Sequence, residues 1–370
     1  MRITYAMDPN VTYYHEVMKG IIQFAKAHSE VDLKIAAVSA AKDLSLLDRA
    51  GYDGLILGTY WENSRQGAQL ATPAISVSNT HRTTRFARVV ADDRAVGTAG
   101  ARHLLVKGYR HLAFWGQMQI AFSQDRWEGF AATVEAVLGS KNRPTHHRPD
   151  RRTNRRWLAQ MPRPLGLMAA TDAMAAEAIS AIQLFGLHVP KDVAVVGVDN
   201  DEMYCELTHP SMSSVSLHAA GIGFAAGEEL VKLIRGETIQ PRTTIAPGPV
   251  IERQSTGAIA ADDPLVAQAV QLLQDHLSEG WNIAKVAGQL GLSRRMLELR
   301  CKRALGQTPG GLLAQIRLQH AQGLLATTDL PLKRIAGLCG YGRAARFSQV
   351  FVHLTGHPPS AYRGQFKLTA

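Results

Sequence analysis

The chain has 370 residues, 46% of them hydrophobic and 19% charged, with a net charge of +10. That length holds two or three domains of roughly 100–200 residues, the composition excludes intrinsic disorder, and no apolar run reaches the roughly 18 residues of a membrane span. Three widely spaced cysteines, Cys205, Cys301 and Cys339, support neither a disulfide framework nor a zinc site; with no signal-peptide pattern at the start, a cytoplasmic protein with no metal, no cofactor and no membrane partner is expected.

The first element is a short apolar strand, Arg2–Ala6. Helical spacing follows over Thr12–His28, with Val17, Ile21, Ile22 and Phe24 on one side. Strands are predicted at Leu33–Val38, Gly54–Gly58 and Ala74–Val77, with a short helix at Leu44–Ala50 and another strand ending at Ala91. The alternation continues with helix Arg94–Lys107, strand His111–Trp115, helix Arg126–Leu138, strand Leu165–Ala169, helix Ala173–Phe185, strand Val193–Val198 and helix Ala219–Arg235. Gly108, Gly186 and Gly236 stop three of these helices. The basic segment Lys141–Arg156 has no apolar period and reads as an exposed connection. Apolar strands alternating with helices imply parallel sheets covered on both faces. The units repeat over roughly 1–90 and 91–217, so two α/β lobes are expected.

After Thr256 the character changes. Residues 257–264 are small, polar and acidic and read as a linker; residues 265–370 carry helical patterns only. Leu265–Leu277 is amphipathic. A short helix at Ile283–Ala287, a break at Gly291 and a Ser293-capped helix over Arg294–Ala304 make a helix-turn-helix pattern. Pro309 opens a long helix, and the pattern then returns: Ile335-Ala336, a turn at Cys339-Gly340-Tyr341, and a second helix over Arg343–His353. From residue 262 onward there are 13 basic and 6 acidic residues, so this region holds most of the excess positive charge. Localised basicity fits a polyanion, and a rigid helix between two such units can set two recognition helices in major grooves about 34 Å apart on one duplex face. Ser293, Arg294, Arg295, Glu298, Arg300, Arg343, Arg346 and Gln349 are the candidate DNA contacts; arginine can read guanine and glutamine adenine.

These residues resemble the AraC-type DNA-binding domain. The likeness runs in order through Ile283-Ala284, Leu290, Ser293-Arg294-Arg295, Leu297, Gly306, Pro309, Arg317, Ala321, Leu324-Leu325, Ile335-Ala336, Cys339-Gly340-Tyr341, Phe347-Ser348, Phe351, Gly356, Pro359 and Tyr362-Arg363. Cys301 stands where that family usually has Phe, Leu299 where many members have a basic residue, and His353 where Lys or Arg is usual.

In open α/β sheets ligands bind beyond the carboxyl ends of the strands. Here those ends carry Asp8; Trp61; Asp92 and Asp93; Asp125, Arg126 and Trp127; Thr171 and Asp172; and Asp199 and Asn200. Carboxylates, amides and aromatic faces suit a sugar, which offers hydroxyls to bond and C–H faces to stack. The candidate ligand set is Asp8, Tyr13, Trp61, Asp125, Arg126, Trp127, Asp172, Asp199 and Asn200. For single members a plainer role stands beside this one: Asp172 is placed to cap a helix, and Trp61 and Trp127 can be core residues.

Residues 1–256 resemble the periplasmic-binding-protein-like sensor of lactose-repressor-type regulators. The matching runs include Val90-Ala91-Asp92-Asp93, Gly108–Phe114, Arg126 with Gly129-Phe130, Ala170–Ala175, Val189–Asn200 and Val250–Thr256. The resemblance implies lobes of roughly 1–90 with 219–245 and 91–217 with 246–256, type I connectivity, and sugar contacts at Asp199 and Arg126, then Asp172 and Asp8. The sensor-then-reader order is similar to that of the xylose-operon activators. The combination implies a DNA-binding transcription activator, a homodimer that answers to xylose or a related monosaccharide, binds double-stranded DNA and contacts RNA polymerase. No GxxxxGK[ST], GxSxG or HExxH motif is present, so no catalytic residues are expected; the alternative is a sugar-binding protein or sugar-acting enzyme with a nucleic-acid-binding tail.

Overall fold

The structure, a computed structural model, describes residues 1–8, 11–34, 44–58, 69–150, 152–257 and 263–366. It opens with two six-stranded sheets built to one plan. In the first lobe the strands are β1 (Arg2–Ala6), β2 (Asp32–Leu33), β3 (Gly54–Leu57), β4 (Ala74–Ser76), β5 (Ala87–Ala91) and, much later, β11 (Arg242–Ile245). Their order is β11-β5-β4-β3-β1-β2, with parallel pairing throughout. The second lobe holds β6 (His111–Trp115), β7 (Thr145–His147), β8 (Leu165–Ala169), β9 (Val193–Asp199), β10 (Ser213–Ser216) and β12 (Val250–Ile251). Its order is β12-β10-β9-β8-β6-β7, antiparallel only between β10 and β12. The central strands are apolar at nearly every position because both faces are covered, as in Val193–Val198, all buried.

Paired helices cover each sheet. In the first lobe α1 (Thr12–Ala27) lies on α8 (Ala219–Ile234); α2 (Leu44–Arg49) is short. In the second, α3 (Asp93–Val106) lies on α4 (Ala121–Leu138). The approach of α3 and α4 requires glycine: a Cβ on Gly97 would stand 1.9 Å from the Arg126 carbonyl oxygen, and one on Gly129 would stand 2.0 Å from that of Arg94. Gly20 and Gly223 do the same for α1 and α8. The chain passes between lobes three times, after β5, β10 and β11.

Several expectations change here. Ile22 is 41% exposed, so the buried stripe of α1 is Tyr14, Val17, Ile21 and Phe24. Helix α4 begins five residues before Arg126. The basic segment is not a bare connection: it contains β7 and runs into α5 (Asn154–Gln160), and His147 is buried, donating from Nε2 to Asn154 Oδ1 at 2.8 Å and stacked on Trp157. Of the strand expected at Leu33–Val38, residues 35–38 lie outside the described residues, as do Trp61 and most of the expected linker. Helices α6 (Asp172–Leu184) and α7 (Glu202–Leu207) complete this lobe.

The remainder is helical: α9 (Pro264–Asp275), α10 (Ile283–Gln289), α11 (Arg294–Leu305), α12 (Pro309–Thr327), α13 (Leu332–Leu338), α14 (Ala344–Thr355) and α15 (Pro359–Phe366). The α9–α12 part has one core, around Val270, Leu273, Val286, Leu297 and Leu312. The α13–α15 part has its own, around Ile335, Phe347, Phe351 and Tyr362 against the far end of α12. The sharp turn between α13 and α14 uses Gly340 at φ +72, where a Cβ would also strike the Leu277 carbonyl at 2.3 Å. No helix among the described residues is long and apolar enough to cross a membrane.

Candidate functional site

A cavity of about 140 Å³ lies between the lobes. The first lobe supplies Tyr13 and Tyr14 from α1 and the loop Ser78-Asn79-Thr80; the second supplies Asp93, Phe122, Arg126, Thr171 and Asp199. A cavity of about 150 Å³ in another protein takes one benzene ring, so this one is sized for a single small ring. The lobes touch across it. Ile120, the residue before α4, offers no side-chain cap. The first amides of that helix instead donate to the other lobe: Ala121 to the Thr80 carbonyl at 3.0 Å and Phe122 to that of Asn79 at 2.9 Å. Arg82 adds a 2.6 Å ion pair to Asp125.

The polar lining is held by bonds within the protein. Arg126 Nε donates to Asp93 Oδ1 at 2.8 Å, and its Nη1 donates to the Ala170 carbonyl. Asn79 Nδ2 donates to the other Asp93 oxygen at 2.7 Å. The Arg126 guanidinium lies 4.8 Å from the Phe122 ring centre. Burial pushes the Asp93 carboxyl above the usual carboxylate range, with Arg126 opposing it. Asp199 is pushed well above that range for the same reason, again against Arg126. Its carboxylate makes no hydrogen bond to another described residue. Asp199 and Asn200 take φ values of 118° and 53°, a left-handed geometry that costs of order 1–3 kcal/mol in a non-glycine residue and gathers at functional sites. Tyr13 donates to the Val77 carbonyl at 2.9 Å, and burial keeps its phenol protonated by raising its pKa. The result is an array of donors and acceptors around a space with one aromatic wall. Among the described residues its lining holds no nucleophile–base pair, and no group of three His, Cys, Asp or Glu side chains is placed to hold a metal ion.

Of the nine expected ligand residues, the cavity brings together Tyr13, Arg126 and Asp199. Asp172 lies behind the wall, fully buried, accepting from Ser214 Oγ at 2.6 Å and the Asp201 amide at 2.8 Å; burial pushes its carboxyl up to about 7. The cap of α6 is Thr171, which accepts from the Met174 amide. Asn200 accepts from Arg253 at 3.1 Å, and Trp127 packs on Phe114, Phe130 and His146. Asp125 is taken by Arg82, and Asp8 does not line the cavity. Ser78, Asn79 and Thr80 were missed, although they follow strand β4 and the strand-end rule applies to them equally.

In the helical part, both helix-turn-helix units present their second helix outward. Ser293 caps α11 by accepting from the Met296 amide at 3.2 Å. Arg294 and Arg295 are exposed, with Arg294 paired to Glu298 at 3.0 Å. Arg300 turns inward to Asp263, the cap of α9, at 2.7 Å, so it is occupied away from that surface. Met296 and Leu299, at 46% and 57% exposure, add apolar patches on α11. On the second unit Arg343, which precedes α14, and Arg346 and Gln349, which lie on it, are all exposed.

Comparison with known proteins agrees with both halves. Residues 101–256 match the periplasmic binding protein-like domain, and residues 286–365 match a helix-turn-helix domain. The xylose operon regulatory protein of Escherichia coli K12 is 28% identical, covering 98% of this chain and 96% of its own; that of Haemophilus influenzae is 25% identical, covering 98% of each. The solved structure of the xylose-binding transcription activator XylR superposes with a TM-score of 0.59 at 26% identity, covering 98% of this chain and 97% of its own. These relatives are regulators, which removes the sugar-acting enzyme. The chain is a DNA-binding transcription regulator, homologous over nearly its whole length to the xylose operon regulatory proteins, in which a periplasmic-binding-protein-like sensor precedes an AraC-type helix-turn-helix domain.

Proposed function

We propose that the chain is a cytoplasmic, homodimeric activator of a sugar-use operon, and that xylose or a related monosaccharide occupies the interlobe cavity. The cavity carries the proposal: it has room for one ring, and its lining joins Tyr13 and Asn79 from one lobe to Asp93, Arg126 and Asp199 from the other. A sugar hydroxyl held between Asp199 and the Ser78–Thr80 loop favours the closed pair of lobes, because only there are both partners within reach. Arg294, Arg295, Arg343, Arg346 and Gln349 meet the duplex, and the exposed methyl-bearing Leu299 suits a thymine methyl. A dimer presents two such readers, and contact with RNA polymerase gives the positive sign of regulation. The test is calorimetry of the full chain with D-xylose, L-arabinose, D-ribose and D-glucose, with and without Asp199→Ala. One pentose is expected to bind, and Asp199→Ala is expected to abolish it while leaving the fold and DNA affinity intact. Sedimentation at working concentration reads the dimer. Failure of all four sugars to bind overturns the effector assignment.

A further inference from the structure

The two helix-turn-helix units are held differently. The second closes its own core, and beside it lies a cleft of about 730 Å³ lined by His103 and Glu252 of the sensor, Gln274 and Leu277 at α9, His320 of α12 and Leu338 of α13. The first is joined to the second lobe. Val106, the last residue of α3, is 1% exposed and belongs to the same apolar core as Val270, Leu297 and Leu312 of the reader. Helix α12 rests on α3 and on β12. Beyond the end of α3, Arg110 reaches the C-terminus of α11: its Nε donates to the Ala304 carbonyl at 2.6 Å and its Nη2 to that of Arg303 at 3.5 Å. The last carbonyls of a helix lack partners within it and carry partial negative charge, so a guanidinium there supplies both the bond and the matching sign. Gly306 makes room for it: a Cβ at that position would stand 2.9 Å from Arg110 Nη1.

The other end of α3 is in the cavity. Asp92 caps the helix and Asp93, its first residue, is bonded to Arg126. One helix of 14 residues, about 20 Å long, therefore runs from the ligand wall into the core of the first reader. The outer face of α11 is left open, with Arg294, Arg295, Leu299 and Lys302 exposed.

We propose that Arg110 is a positioning residue: it pins α11 to the second lobe, so that the first helix-turn-helix unit turns with that lobe and a displacement at Asp93 reaches the duplex through α3. The signal it carries rests on the sugar reading above; the pin itself does not.

The experiment uses the full chain with one fluorophore on Gln289→Cys, an exposed position on α10; the three native cysteines are buried and stay unlabelled. Without sugar, time-resolved anisotropy is expected to show the reader tumbling with the whole chain. Arg110→Glu, which sets a like charge against the helix end, is expected to add a fast component, and Arg110→Lys, which keeps the charge, to restore most of the slow motion. A fast component already present with Arg110 in place, or none with Arg110→Glu, overturns the pin. The second readout is affinity for a duplex that the chain itself selects from random sequence, with and without saturating D-xylose. An ordinary coupling changes that affinity about 5- to 150-fold; in Arg110→Glu the change is expected to fall within about twofold, with D-xylose affinity unaltered. A retained change overturns the transmission role. If none of the four sugars above binds either form, the sugar reading fails and the tumbling result still decides the pin.

Discussion

Arg126 and Asp93 form the buried ion pair of the cavity wall, at 5% and 2% side-chain exposure. Arg126→Met keeps most of the apolar stem and removes the charge. At 2.8 Å and an effective dielectric of about 20, the lost attraction is about 6 kcal/mol. What remains is a carboxylate out of water with Asn79 as its one neutral partner among the groups described above. Breaking a buried pair from one side costs about 3–5 kcal/mol. Asp93 limits the damage by taking up a proton, which its burial already favours. The sign follows from that: its folded pKa lies above its unfolded one, so the relief is present at low pH and is lost as pH rises through the folded value. Urea unfolding followed by tryptophan fluorescence should therefore show a larger loss at mildly alkaline than at mildly acidic pH. Adding Asp93→Asn removes the stranded charge and keeps an acceptor for Asn79 Nδ2, so the double variant should be more stable than Arg126→Met alone. A loss under about 1 kcal/mol in mild alkali, or a double variant no better than the single, would refute the account of the pair.

Gly97→Ala should cost about 3 kcal/mol, since its methyl meets backbone and not a mobile side chain; a melting temperature equal to the parent would show that α3 and α4 part freely. His103 is buried, bonded to Thr256 at 2.8 Å, and pushed down to about 3 by that burial. It is neutral in the fold and charges on unfolding, so its contribution is present above about pH 6.5 and is lost as pH falls toward about 3, and His103→Gln should flatten acid unfolding in that window. Arg295→Ala and Arg346→Ala should each weaken DNA binding by about 1–3 kcal/mol if they read bases; an equal loss on all sequences with a shallower salt dependence would assign them to phosphates.

What was legible in the sequence was what is local. Strands β1, β6 and β8 are bounded as their apolar runs indicate, and both helix-turn-helix units follow from Gly291, Gly340 and the Ser293 cap. What was hidden depends on the other lobe. Helix α4 starts at Ala121 because carbonyls of residues 79 and 80, some forty positions earlier, receive its first amides; nothing beside Ala121 announces this. Strand β11, Arg-Thr-Thr-Ile, reads as surface and becomes a strand through pairing with β5, about 150 residues away. At the site, strand ends pointed to the right region but could not rank the residues in it. Asp172 and Asp199 both follow apolar strands; one side chain is claimed by Ser214 and the Asp201 amide behind the wall, and the other is left for the cavity.

The energetics of closure set a lower limit on the effector. Moving the lobes from about 1:99 to 99:1 in favour of the closed form needs about 5.5 kcal/mol of differential binding. Each hydrogen bond to a charged group is worth about 1.5–3 kcal/mol, and it counts only if the open form lacks it. Asp93, Arg126 and Asp199 sit on one lobe and Tyr13 and the Ser78–Thr80 loop on the other. An effector must therefore bridge them with about two to four such bonds at once. Part of the bonding capacity of Asp93 and Arg126 is already committed to each other, to Asn79 and to the Ala170 carbonyl, whereas the Asp199 carboxylate accepts no bond from another described residue and its backbone sits at a φ of 118°. A diol such as ethylene glycol offers only two hydroxyls and should leave DNA affinity nearly unchanged; a ring bearing four hydroxyls can meet the requirement. Asp199 should then dominate the selectivity, because it is the carboxylate of the wall whose oxygens make no bond to another described residue.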